Sequence, residues 1–169
     1  MTLSQRVRFE DAERALRLMM AELGDCWIRG HWFEVSRQPY DAVYPTTWGT
    51  LEGSGLVRAI RTIGHTRYEL SPVGWLRGLE LTDRMEDAKE KVGKIIAELK
   101  KAVKGRSKEA LVYSDSVASR AGVPHGFMCN AIESDFIGTV LRRKTVQVSA
   151  LEKGGYLLKV PIDFGLDVL

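Results

Sequence analysis

The stretch YPTTWGTLEGSGLVRAIRTIGHTRYELSPVGWLRGL, Tyr44–Leu79, decides how the rest of the chain is read. Pro45 suits the first turn of a helix, where its missing N–H is no loss. The spacing predicts a helix over roughly 45–53, with Trp48 and Leu51 inward and Thr46, Thr47 and Thr50 largely outward. Gly53 and Gly55 end it and let Leu56 and Val57 fold back into a core. Val57 to Arg61 then pairs with Arg67 to Leu70 across a turn at Gly64-His65, as an antiparallel hairpin. Ser71 is a helix cap and Pro72 a first helical residue, with Trp75, Leu76 and Leu79 facing inward.

Working outward from there, Phe9, Ala12, Leu16, Met19, Met20 and Leu23 recur at three- and four-residue steps. They predict an amphipathic helix over 8–23, closed by Gly24. Residues 31–38 read as a short helix stopped before Pro39, or as a strand over 31–35. Beyond the opening stretch, Leu81, Met85, Ala88, Val92, Ile95 and Leu99 alternate by four and three. This a/d heptad predicts a helix over about 80–104. Its seam serves either a homodimer or a contact within the chain. Ser114-Asp115 caps a short helix at 116–121, and Ala121-Gly122-Val123 is a tight turn before a helix from Pro124. Thr145–Ala150 and Tyr156–Val160 alternate as a second hairpin around Gly154-Gly155, and Pro161 ends it.

The chain has 169 residues, 44% hydrophobic and 28% charged, which suits one ordinary domain or two small ones. Lys and Arg number 25 against 22 Asp and Glu. The excess lies wholly in residues 81–110, with nine cations against six acids, while the flanks are neutral. That mild basicity permits nucleic acid without demanding it. Cys26 and Cys129 form no CxxC or Cys–His ligand pattern, and His31, His65 and His125 lie far apart. No metal, cofactor or catalytic residue is expected. With no signal-type segment and no long apolar run, a cytoplasmic protein with no membrane partner is the expectation.

The segment from Thr50 to Leu79 resembles the wing region of prokaryotic winged helix-turn-helix transcription regulators of the PadR-like and MarR-like kind. Leu51, Gly55, Leu56, Val57, Tyr68, Leu70, Ser71, Pro72 and Gly74 carry the likeness. SDSVASRAGVP resembles the generic helix-turn-helix signature through Val117, Ala118, Ala121, Gly122 and Val123. The resemblance implies a mainly α fold with small β-hairpin wings (α+β). Tandem winged-helix-like modules at 1–79 and 108–169 would be joined by a long helix at 80–104. That helix would dimerise through Leu81, Met85, Ala88, Val92, Ile95 and Leu99.

The implied partner is double-stranded DNA. Thr46, Thr47 and Thr50 would face the major groove, where a hydroxyl donates or accepts and a methyl touches thymine. Arg61, His65 and Arg67 would meet phosphates or the minor groove. In the second module the readers would be Ser116, Arg120, His125 and Asn130, with Arg142, Arg143, Lys144 and Lys153 on the backbone. The first helix holds no Lys, Arg, Asn or Gln, so the commonest guanine contact is missing from it. A protein–protein adaptor is therefore the alternative function.

Overall fold

Residues 3–34 and 45–166 are described by a computed structural model of the chain. They hold seven helices and two small antiparallel sheets, an α+β arrangement. The chain divides into two compact units, Met1–Met85 and Glu86–Leu169.

In the first unit, helix α1 (Leu3–Leu23) buries Leu16, Met19, Met20 and Leu23 on one stripe. It begins five residues before the expected start and ends as expected, where the Gly24 amide donates to Met20 O at 3.0 Å. Strand β1 is only Phe33–Glu34, which settles the helix-or-strand ambiguity there in favour of a strand. The part of that expectation on residues 35–38 lies outside the described residues. Helix α2 (Pro45–Gly53) presents Trp48 and Leu51 to the core.

Strands β2 (Val57–Thr62) and β3 (His65–Leu70) form the hairpin. Thr62 pairs with His65, so the turn is Ile63-Gly64, one residue earlier than expected. Gly64 supplies the left-handed backbone it needs, at φ +91°. Strand β1 joins the free edge of β3, giving the order β1-β3-β2. Trp48 stacks on Tyr68 with ring centroids 4.7 Å apart, tying α2 to the sheet.

Helix α3 (Pro72–Leu81) opens as the sequence foretold. The Ser71 hydroxyl accepts from the Gly74 amide at 2.9 Å, and Pro72 takes the first position. Trp75 and Leu79 are buried.

The continuous helix expected from about residue 80 is interrupted. Thr82 turns its hydroxyl back to Gly78 O at 2.7 Å, and Asp83 takes a left-handed φ of 54°. Helix α4 (Met85–Val103) starts afresh, with Glu86 and Asp87 in its first turn and Lys100 and Lys101 in its last. That charge order complements the helix macrodipole at both ends.

The second unit takes a strand that the sequence did not announce, β4 (Ala110–Tyr113). Helix α5 (Ser114–Ala121) follows directly and closes on Gly122 at φ 67°. Helix α6 (His125–Glu133) is buried along Phe127–Ile132. Helix α7 (Gly138–Arg143) follows, in a stretch for which the sequence announced no element. Strands β5 (Gln147–Ala150) and β6 (Tyr156–Val160) form the hairpin, and β4 adds to β6 for the order β4-β6-β5. Ile95, Leu99, Val117, Phe127, Leu141, Leu158 and Phe164 make the core. No helix of the described residues is long and apolar enough to cross a membrane.

Candidate nucleic-acid interface

The surface singled out by sequence is built from α2 and the β2–β3 hairpin, held by a knot of backbone and serine. Ser71 N donates to Leu56 O at 3.0 Å, and the Ser71 hydroxyl donates to Gly55 O at 2.5 Å. The turn after α2 and the start of α3 are thereby fixed to each other. At the hairpin tip, the Thr62 hydroxyl donates to His65 O at 3.0 Å. Ile63 stands fully exposed between them.

On this frame Thr46 is exposed and Thr50 half-buried, its hydroxyl donating to Thr46 O at 3.0 Å. Thr47 is buried at 4% exposure. It shares the inward face with Trp48 and Leu51, so its expected role in a groove is corrected: it is a packing residue.

The hairpin cations are engaged. Arg61 donates through both terminal nitrogens to the Glu52 carboxylate, at 3.0 and 2.7 Å. That hydrogen bonding, more than the charge itself, lowers the Glu52 carboxyl below its ordinary value and raises Arg61. Arg58 pairs with Glu69, its cross-strand neighbour. The Arg67 guanidinium lies over the Trp32 ring, 4.9 Å from its centroid. His65 is exposed. Sequence reasoning omitted Arg58 and the two carboxylates. The register could have shown the Arg58–Glu69 pair by counting back from the turn.

The second unit's residues divide differently. Ser116 is exposed on α5. Arg120 lies 3.7 Å from Glu98 Oε2. Arg142 reaches Asp135 at 3.2 Å, and Lys144 donates to Leu166 O at 3.1 Å. Arg143 and Lys153 are exposed and make no ion pair or hydrogen bond among the described residues.

Asn130 is wholly buried, so it cannot read a base edge; α6 is surrounded, and its polar residue faces inward like the rest. His125 is likewise corrected. Its Nε2 lies 2.8 Å from Ser114 Oγ and 3.4 Å from Cys129 Sγ, turned into the unit. Ser114 Oγ also accepts from the Tyr156 amide at 2.9 Å. Burial pushes the Cys129 thiol up to about 12, outweighing the hydrogen bond with Ser114 that lowers it. A thiol held protonated is a poor nucleophile, and the cluster acts as a fastening between α5, α6 and the hairpin. Among the described residues, no group of three or more His, Cys, Asp and Glu is arranged to hold a metal ion.

The proposed dimer seam is also corrected. Ala88, Ile95 and Leu99 are buried within the chain itself, and Leu81 ends α3 rather than lying on α4. Met85 and Val92 are half-buried. The apolar stripe of α4 is thus spent on the chain's own packing.

Comparisons with protein-family models, curated proteins and solved structures find no match to this chain.

Proposed function

We propose that both units are winged-helix-like modules and that the first contacts duplex DNA, as in a transcription regulator. One observation carries this reading. The element order α1-β1-α2-β2-β3-α3, with sheet order β1-β3-β2, sets a hairpin bearing Arg58, Arg61, His65 and Arg67 against α2 through Glu52–Arg61 and Trp48–Tyr68, and Thr46 of that helix is exposed. Such a surface lets a short helix approach a groove while the hairpin cations meet phosphates.

The engaged arginines are compatible with that use. The Arg61–Glu52 pair is exposed, and such pairs contribute little, so that guanidinium exchanges a carboxylate for a phosphate at little cost, whereas Arg58 stays on the buried Glu69 carboxylate. The test is a fluorescence-anisotropy titration with short duplexes over a salt series. Arg61→Ala and Arg67→Ala should weaken binding to all sequences alike. Each should reduce the salt slope by about one unit. No duplex binding at low salt, or binding unaltered in both variants, overturns the reading.

A second reading, a protein–protein adaptor, rests on a different observation. Ile63, Leu111 and Tyr113 are large apolar side chains left exposed, while acids accompany the hairpin arginines. It predicts a flat duplex titration at every salt concentration.

A further inference from the structure

The C-terminal end of α4 carries a feature that neither reading uses. Lys100 and Lys104 stand on successive turns, and Gly105, at φ +72°, reverses the chain so that Arg106 returns beside them. After β6, the segment 161–166 brings Ile162 and Leu166 to the same place. With Val103 they enclose an open groove of about 440 Å³. That volume falls in the range of roughly 300–1,000 Å³ typical of small-molecule sites.

The lining is one-sided in charge. Among the described residues it holds Lys100, Lys101, Lys104 and Arg106 and no carboxylate. Lys101 is paired with Glu98 at 2.6 Å. The side chains of Lys100, Lys104 and Arg106 make no ion pair or hydrogen bond among the described residues. The blandest account is that cations complement the carbonyl end of α4. That end carries roughly half an elementary charge, too little to answer three unpaired cations. Nor does it explain why Ile162 and Leu166, 54% and 70% exposed, lie against them. Apolar surface and unpaired cations side by side call for a ligand with both characters.

We propose that this groove binds a small amphipathic acid. Its carboxylate or phosphate head sits among Lys100, Lys104 and Arg106, and an apolar body of about eight carbons lies on Val103, Ile162 and Leu166. The site belongs to the second unit alone and does not depend on DNA binding by the first. The apolar body gains by leaving water, and the head gains by charge-assisted hydrogen bonds. A neutral or cationic analogue loses the second term or reverses it.

The experiment follows backbone amide shifts by NMR on the full chain, titrated with octanoate and octyl phosphate below their micelle concentrations. Octanol, octylamine, acetate and inorganic phosphate are the controls. Saturable shifts should appear at Lys104–Arg106 and Ile162–Leu166 with the two amphipathic acids. Affinity should fall about tenfold or more for octanol and for the Lys104→Ala/Arg106→Ala double variant. Ile162→Ser, at an exposed position, should weaken both acids and leave the fold unchanged. Equal binding of octanol would reduce the groove to apolar surface and overturn the proposal. Equal binding of acetate or inorganic phosphate would reduce it to charge alone and overturn it too. Shifts elsewhere, or none, would do the same. The duplex titration above is a separate readout on the other unit, so either result can fail without the other.

Discussion

Gly74 offers the sharpest test of how the first unit is held together. It is the third residue of α3, and a Cβ there would lie 1.8 Å from Leu56 O and 2.8 Å from Leu56 C. Ordinary carbon contacts need about 3.5 Å, so the start of α3 and the turn after α2 must part by more than 1 Å. Two bonds hold those segments at that spot: Ser71 N to Leu56 O at 3.0 Å, and the Ser71 hydroxyl to Gly55 O at 2.5 Å. Helix propensity alone favours Gly74→Ala by up to about 1 kcal/mol. Overpacking against backbone costs about 1–3 kcal/mol, and straining the Ser71 bonds adds about 1 kcal/mol. The net expectation is a loss of about 1–3 kcal/mol. All four tryptophans, Trp27, Trp32, Trp48 and Trp75, lie in the first unit, so their fluorescence reports on it alone. The urea midpoint should fall by about 1–2 M. Gly93→Ala is the control. A Cβ at Gly93 on α4 would meet nothing within 4 Å beyond its own helix, and the variant should gain about 0.5–1 kcal/mol by circular dichroism. A Gly74→Ala protein as stable as the parent would refute the close approach.

Two more outcomes follow from titrating groups. Cys129, buried with its thiol pushed up to about 12, should resist iodoacetamide in the native protein at pH 9 and react once urea unfolds it. Because the unfolded thiol ionises first, this group's contribution to stability is complete below about pH 9 and declines toward pH 12. Cys129→Ala should lessen that decline in pH-dependent denaturation, and native labelling within minutes would contradict the burial. Glu52 should titrate below the usual carboxylate range by carbon-detected NMR and move back up in Arg61→Ala. The stabilisation it gives is present above the unfolded-state value and lost as acid protonates the native carboxylate; identical titration in both proteins would dissolve the pair.

What the sequence disclosed was local. Ser71-Pro72, Gly64 and the alternation around them specify a capped helix and a hairpin within a few residues, and these appear as expected. Strand β4 was illegible because its pattern of buried and exposed residues spans four positions and its pairing partners on β6, such as Leu157 for Tyr113 and Val160 for Ala110, lie far along the chain. Helix α7 was masked by Gly138, which reads as a breaker yet stands at the helix start. The heptad of α4 was seen correctly as an apolar stripe. Periodicity cannot say whether such a stripe meets its own chain or a second copy. Thr47 was misassigned although its phase was readable, since it precedes Leu51 by one helical turn. The Glu52–Arg61 pair was out of reach, because it forms only when the hairpin folds back over α2.

The fastening around Ser114 has a consequence for how the second unit opens. One hydroxyl meets a histidine 11 residues away and the Tyr156 amide 42 residues away. Gly155, at φ +84°, leaves no room for a side chain, since a Cβ would stand 2.8 Å from that oxygen. The bond on the Tyr156 amide therefore exists only while β6 is seated on the helices. Its exchange with deuterium then counts departures of the hairpin rather than fraying at a strand end. A single backbone proton thus records a cooperative event that involves three distant pieces of chain.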